Sequence, residues 1–299
     1  MFIINNRKIF FILSGILIIG SIVAMFIFGL PLGIDFKGGT LLEVSYVYND
    51  RPILEVIKPK LDTLNLGAYS LTPSGEAKFS LKTKDLTPDQ KSSIIKVLSQ
   101  NGDHPVKEES FTSIGPVVGS QLKNKALIAF ALVIIAIVLF ITFAFRKVSH
   151  PVASWKYGVA TIVALAHDVI IPTGVFITVA HFRGGEVDLL FVTALLAILG
   201  YSVHDTIVVF DRVRENLHHV GKNESFTETV GKSVTQTFGR SINTSLTIFL
   251  ALVALYFIGG ASTKDFAFVL LIGIITGTYS SIFVASPLLV TLEKLQKKS

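Results

Sequence analysis

Two aspartates stand where aspartates are costly. Asp205 lies in the run LLFVTALLAILGYSVHDTIVVF, Leu189 to Phe210, and Asp168 lies near the middle of a second apolar run, Tyr157 to Val179; each follows a histidine, His204 and His167. A central Asp costs roughly 2.5–3.5 kcal/mol on membrane insertion, whereas the thirteen Leu, Ile, Val and Phe residues around Asp205 return about 4–8 kcal/mol. The helix inserts, with little margin. Ionisable groups at such depth usually face a bundle interior and mark ion pathways or proton relays; the bland alternative is a structural hydrogen bond between helices.

Spacing adds candidates to these carboxylates. Ala194, Ala197, Ile198, Tyr201, Asp205 and Val208 fall on one side of their helix, a small-residue stripe ending in a phenol and a carboxylate, which predicts a protein-facing surface. Arg240, Asn243, Thr244 and Thr247 share a face at i, i+3, i+4 and i+7, so a cation and an amide enter the membrane together. Asp205 sits about five residues, ~7 Å, from the same end of its own span, within reach of Arg240. Against that pairing, Arg240 also suits a flank that snorkels to headgroups. Pro172 lies four residues after Asp168 and removes the amide that would bond the Asp168 carbonyl, predicting a kink or a water site at membrane depth. His167, on a neighbouring face, is equally a packing contact.

Other chemistries fit less well. Adjacent His and Asp diverge by about 100° on a helix, so the two His-Asp pairs do not converge on one metal ion. Two membrane carboxylates sharing a proton would suit a diaspartyl intramembrane protease, but the Tyr-Asp and Gly-x-Gly-Asp contexts of such enzymes are absent. The chain has no Cys, which excludes disulfides, thiolate metal sites and cysteine nucleophiles, and no cofactor is expected.

The elements that must position these groups are membrane helices. Charged residues are only 16 % of the chain, against about 25 % in soluble proteins. The net charge of +6 does not indicate nucleic acid, because the charges sit in loops beside apolar runs. Six stretches reach the ~20 residues needed to span a bilayer: about Ile9 to Leu30, Ala126 to Phe145, Tyr157 to Val179, Leu189 to Phe210, Thr244 to Ile258 extended by flanking small residues, and Phe266 to Val290. The first is too long for a signal-peptide core and is read as an uncleaved anchor. Arg7 and Lys8, then Arg146, Lys147 and Lys156, then Arg212, Arg214, Lys222, Lys232 and Arg240, and finally Lys294, Lys297 and Lys298 mark four cytoplasmic regions. Both termini are therefore expected in the cytoplasm, with a cytoplasmic loop over 211–241. There Asp211, Arg212, Arg214 and Glu215 read as an i, i+3 and i, i+4 charged network.

Residues 31–125, between the first span (1–30) and a five-span bundle (126–299), are expected to fold outside. Thr40 to Tyr48 reads as a strand, and Asp50-Arg51-Pro52 opens a helical pattern through Leu64. Two short strands follow around the turn Thr72-Pro73-Ser74-Gly75, the clearer being Ala77 to Leu81. Thr87-Pro88-Asp89-Gln90 is a capping box that starts a helix to about Gln100, and Val106 to Phe111 closes a βαββαβ order. That is a small α+β ferredoxin-like domain. Nothing in it looks catalytic; its His104 is expected to be solvated. The glycines of Gly33 to Thr40 are read as structural, permitting positive φ where helix turns into strand.

Several motifs together resemble a known family. Gly33-Ile-Asp-Phe-Lys-Gly-Gly-Thr40, Gly115-Pro-Val-Val-Gly119, Ala166-His-Asp-Val-Ile170, the long run from Gly200 through Asn216, and Arg240-Ser-Ile-Asn-Thr-Ser-Leu-Thr247 are similar to the SecF subunits of the bacterial Sec protein-export machinery, in the SecD/SecF family of the RND superfamily. The resemblance covers nearly the whole chain. It implies a six-span half-bundle in the cytoplasmic membrane that pairs with a six-span SecD, works with SecYEG on exported polypeptides, and uses the proton-motive force at late steps of export. It also implies that Asp205 and Arg240 are the proton-pathway residues; the residue reading adds Asp168, Tyr201, Asn243, His204 and His167. At 299 residues the chain is expected to be a separate SecF, incomplete without its partner. An RND-type small-molecule exporter would need a second membrane half and larger external domains, and a purely structural assembly factor would tolerate loss of Asp205.

Overall fold

The computed structural model describes residues 1–146, 152–219 and 224–296. Lys147, Lys222, Lys297 and Lys298, used above to orient the chain, lie outside them. In chain order the elements are helices α1 (Phe2–Asn5), α2 (Arg7–Phe28) and α3 (Ile34–Lys37), strand β1 (Gly39–Tyr46), helix α4 (Leu54–Asp62), strands β2 (Ser70–Ser74) and β3 (Lys78–Thr83), helix α5 (Pro88–Leu98) and strand β4 (Val106–Ile114). Helices α6 (Pro116–Ala144), α7 (Ser154–Arg183), α8 (Leu189–His219), α9 (Phe226–Ile258), α10 (Ala261–Ser280) and α11 (Ser286–Gln296) follow, the last two joined by a π-helical segment, Ser281–Ala285. The chain divides into two compact units, Leu32–Leu127 and a second made of Met1–Pro31 with Ile128–Ser299.

The second unit holds six helices long and apolar enough to cross a membrane, with α10, the π segment and α11 acting as one span. Over the most apolar stretch, α7, α8 and this composite span are each 56 % buried, whereas α2, α6 and α9 are 11 %, 6 % and 17 % buried. The first three therefore form the centre, and the others present apolar surface outward. Small residues set how closely they approach. A Cβ on Gly174 of α7 would lie 2.4 Å from the Ser21 Cα of α2, and one on Gly273 of α10 would lie 2.1 Å from the Ile198 Cδ1 of α8. Gly273 and Gly277 thus put a small-residue packing surface of α10 against α8. The stripe expected on α8 is only partly protein-facing: Ala194, Ile198 and Asp205 are buried, but Ala197 is exposed and Tyr201 half-buried.

Helix boundaries depart from expectation where charge was taken for loop. Residues 211–241, expected as a cytoplasmic loop, are largely helical, with α8 running to His219 and α9 starting at Phe226. Arg214 pairs with Asp211 at 2.5 Å and Arg212 with Glu215 at 2.6 Å, both i, i+3, so the charged network itself is present and supports the extension of α8. A Ser225–Glu228 capping box starts α9. Asn216 ties the two extensions together by donating to Ser233 and Gln236, both at 2.8 Å. The second membrane helix likewise starts at Pro116 rather than Ala126, and α7 continues as one helix through Pro172.

The first unit has the βαββαβ order, as an antiparallel sheet ordered β2-β3-β1-β4. Leu42, Val44 and Tyr46 of β1 and Phe79 and Leu81 of β3 pack with Ile57 and Leu61 of α4 and Ile94 and Leu98 of α5. Alternation along β1 puts these residues on one face. The turn expected at Thr72 to Gly75 is misplaced, since Thr72, Pro73 and Ser74 are paired in β2. Pro73 is tolerated because β2 is an edge strand. Helix α4 begins at Leu54, later than Asp50, while the capping box on α5 forms as read. His104 is not free: its Nδ1 lies 2.7 Å from Asp50 Oδ2. In the glycine motif Gly38 has φ +79° and Gly39 φ +138°, and a Cβ on Gly38 would lie 2.8 Å from Pro116 Cα. The structural reading of these glycines follows.

Candidate functional site

Asp168 is completely buried on α7 and collects hydrogen bonds from three directions. Ser202 of α8 and Ser280 of α10 both donate to Oδ2, the latter at 2.7 Å, and His167 Nδ1 lies 2.9 Å from Oδ1. Neighbouring residues on a helix usually diverge, yet His167 turns back onto the following side chain and stacks its ring on Tyr279, with centroids 5.7 Å apart. Tyr279 in turn donates to the Phe10 carbonyl and accepts from Ser14, which brings α2 into the cluster. Burying an unpaired carboxylate would cost several kcal/mol, and these donors offset that cost.

Asp205 is 6 % exposed and is less fully satisfied. Ser241 of α9 donates to its Oδ1 at 2.5 Å, while Oδ2 is buried and makes no hydrogen bond. The Ser281 hydroxyl of the π segment lies close by, as do the side chains of Arg240 and His204. Ser281 also pairs with Thr206 at 2.8 Å and donates to the Ser202 carbonyl at 3.3 Å, so it sits between the two aspartates. Ser281 opens the π segment, and the Ser286 hydroxyl just beyond it donates to the Ser281 carbonyl at 2.9 Å. A hydroxyl chain continues from Tyr201 to Ser245 at 2.6 Å and from Ser245 to Thr278 at 2.5 Å.

The expected Asp205–Arg240 ion pair is not formed. Arg240, Asn243, Thr244 and Thr247 do share a face, but it is the exposed face of α9; the buried one carries Thr237, Ser241 and Ser245. Arg240 instead lines a pocket of about 260 Å³ between α8 and α9 with Asp211, Arg212, Glu215, Gln236 and Thr237. His204 is also exposed. Thus Asp168, His167, Asp205 and Tyr201 are drawn into the bundle, while Arg240, Asn243 and His204 lie on its surface. No group of three or more His, Asp or Glu side chains suited to a metal ion occurs among the described residues. Ser202, Ser241, Ser245, Thr278, Ser280 and Ser281 are the participants that residue spacing alone did not single out. The arrangement places two buried carboxylates in a cluster of hydroxyls, with the Ser202 carbonyl between Ser281 and the hydroxyl that holds Asp168.

The chain as a whole is similar to known proteins. Residues 94–295 match the family described as protein export membrane protein SecD/SecF, C-terminal, and residues 23–47 match the SecD/SecF GG motif. A relative from Thermobaculum terrenum, named protein translocase subunit SecF, is 42 % identical over 97 % of this chain and 93 % of its own. One of the same name from Anaerolinea thermophila is 36 % identical over 97 % and 94 %. The crystal structure of SecDF, a translocon-associated membrane protein from Thermus thermophilus, superimposes with a TM-score of 0.82 at 29 % identity over 97 % of this chain. The present chain spans 38 % of that longer one.

Proposed function

The chain belongs to the SecD/SecF family of protein export membrane proteins, and from that premise we propose that it works as one half of a proton-driven unit, with a SecD-type chain as the other half. Its place in the family makes it a multi-pass membrane protein with a role in protein export. The finer reading is that the unit acts beside a SecYEG-type channel, draws on the proton-motive force, and pulls or releases exported chains through its external domain. In this reading both termini are cytoplasmic and Leu32–Leu127 faces outward.

One observation carries the reading: Asp205 is a buried carboxylate inside a membrane helix, with one oxygen bonded to Ser241 and the other unsatisfied beside Ser281. An apolar surround favours a neutral carboxyl, and a nearby guanidinium favours the carboxylate. Arg240 lies on the outward face next to Ser241, so a small rotation of α9 against α8 changes which influence dominates. Alternating the two states with access to opposite sides moves a proton inward. A potential of 100 mV supplies about 2.3 kcal/mol per charge, enough to bias a two-state motion of the external domain. Tyr201, Asn243 and His204 belong to the same proposed pathway.

Asp205→Asn keeps the shape and removes the titrating proton. The expected result is normal membrane insertion and abundance, an intact gradient-independent level of export, and loss of the gradient-dependent part, measured in membrane vesicles with and without an uncoupler. Full gradient-driven export by this variant would overturn the proposal in favour of a structural role. Exchanging proton for sodium gradients in the same vesicles identifies the ion.

A further inference from the structure

Asp168 and His167 form a pair that the shuttle at Asp205 does not require. Asp168 has no exposed surface and His167 only 1 %, and the imidazole Nε2 is buried without a hydrogen-bond partner. With the neutral ring donating from Nδ1, the pair carries a full negative charge inside the bundle and leaves Nε2 as an unfilled acceptor. One added proton removes the buried charge: it makes the pair neutral, either as imidazolium with carboxylate or as imidazole with carboxylic acid, while Nε2 stays unpaired in both forms. Among the described residues no Lys or Arg pairs with Asp168. The groups that face the pair are Tyr279 of α10, stacked on the ring, Ser202 of α8, Ser280 of α10, and, through Tyr279, Ser14 and the Phe10 carbonyl of α2.

We infer that His167 and Asp168 constitute a second proton-binding site, distinct from Asp205, whose occupancy sets how firmly α7, α8 and the sixth span are pinned together. The ligand is a proton rather than a metal cation. Both carboxylate oxygens are already claimed by three hydrogen-bond partners, which leaves no open oxygen cage of the kind a hard cation needs, and imidazole is a poor ligand for such an ion. The pair reaches the Asp205 site mechanically. Ser202 holds Asp168 with its hydroxyl and accepts from Ser281 with its carbonyl, and Ser281 stands beside the free oxygen of Asp205. Losing the proton at His167–Asp168 strengthens the grip of Ser202 and Ser280 on a full carboxylate, and regaining it relaxes that grip. The role in export rests on the proposed proton coupling; the binding of the proton does not.

Infrared difference spectroscopy of the full-length chain in lipid bilayers, stepped between about pH 5.5 and pH 9, tests the assignment, because exposed Asp and Glu are already ionised there. Asp205→Asn is expected to retain a carboxyl band that responds to pH, Asp205→Asn with Asp168→Asn to lose it, and Asp205→Asn with Ser280→Ala to shift its frequency. The Ser280 variant keeps the carboxyl and so reads the site even if Asp168→Asn does not fold. No pH-responsive carboxyl band in Asp205→Asn, a band insensitive to both second changes, or a band that responds to sodium at fixed pH would overturn the inference. Export failing in Asp205→Asn while this band persists separates the two proposals.

Discussion

Among the described residues, Ser241 places its hydroxyl on Asp205 Oδ1 at 2.5 Å, and no charged side chain forms an ion pair with that carboxylate. A hydrogen bond to a charged group contributes about 1.5–3 kcal/mol. Ser241→Ala is therefore expected to cut gradient-driven export by about an order of magnitude at unchanged protein level, with Ser241→Thr close to wild type; vesicle export assays read both. Outside the membrane, the Ser45 hydroxyl, 2.7 Å from Glu109, and then Lys107 and Lys78 hold the Glu109 carboxyl below the usual range. A lowered folded-state value stabilises the fold above the ordinary glutamate range, and that contribution is lost as pH falls through the lowered value. Ser45→Ala should move the Glu109 titration upward, as followed by carbon NMR of the side chain. Aspartates and arginines in apolar runs were legible because each violates its surroundings. The hydroxyls that hold them were not. A membrane Ser or Thr commonly bonds the carbonyl four residues back, as Thr173 does to Val169, so its presence says nothing of a second partner.

Helices α7 and α10 each meet a neighbour at a glycine, but what stands opposite differs. At Gly174 a Cβ would meet the Ser21 backbone, whereas at Gly273 it would meet only side-chain atoms of Ile198, Cδ1, Cγ1 and Cγ2. Gly174→Ala must push α2 away, while Gly273→Ala must displace the Ile198 side chain but no backbone. Overpacking typically costs 1–3 kcal/mol, so Gly174→Ala is expected at about the upper end and Gly273→Ala near or below the lower one. Denaturation of the purified variants measures the difference, and Ile198→Ala should rescue Gly273→Ala but not Gly174→Ala. Element identity was legible from apolar run length in the membrane and from the alternation of β1 and the Thr87 capping box outside it. The ends were less so. Thr72-Pro73-Ser74-Gly75 has turn chemistry, yet β2 needs no amide from Pro73 on its outer edge; Arg212, Arg214 and Lys232 mark an aqueous surface, yet they are also good helix formers. The π segment left no mark in the residue pattern, because it changes one hydrogen-bond register rather than the apolar spacing.

At the scale of the molecule, the exposed polar face of α9 is the feature an isolated half-bundle cannot explain. Arg240, Asn243, Thr244 and Thr247 run along it and His204 of α8 is exposed as well, whereas α2 and α6 turn Ile, Leu and Phe side chains outward. The side chains of Arg240 and Asn243 make no hydrogen bond or ion pair with the described residues. Against lipid tails that costs several kcal/mol per unsatisfied group; against a second polar face it does not. Exposed Ile242, Leu246 and Leu250 of α9 flank this polar stripe, and the SecD-type membrane half of the proposed function is the partner suited to cover it. The absence of Cys makes a clean test available, since one introduced thiol is unique. Asn243→Cys and Thr247→Cys are expected to cross-link to a second membrane chain on oxidation when paired with single-cysteine variants of the SecD-type partner, and to be shielded from a lipid-soluble maleimide. Leu139→Cys, 65 % exposed on α6, should react with the maleimide and form no such cross-link. Equal labelling at all three positions would mean that the polar face meets lipid or water instead, and that Arg240 is a surface cation with no partner half to act upon.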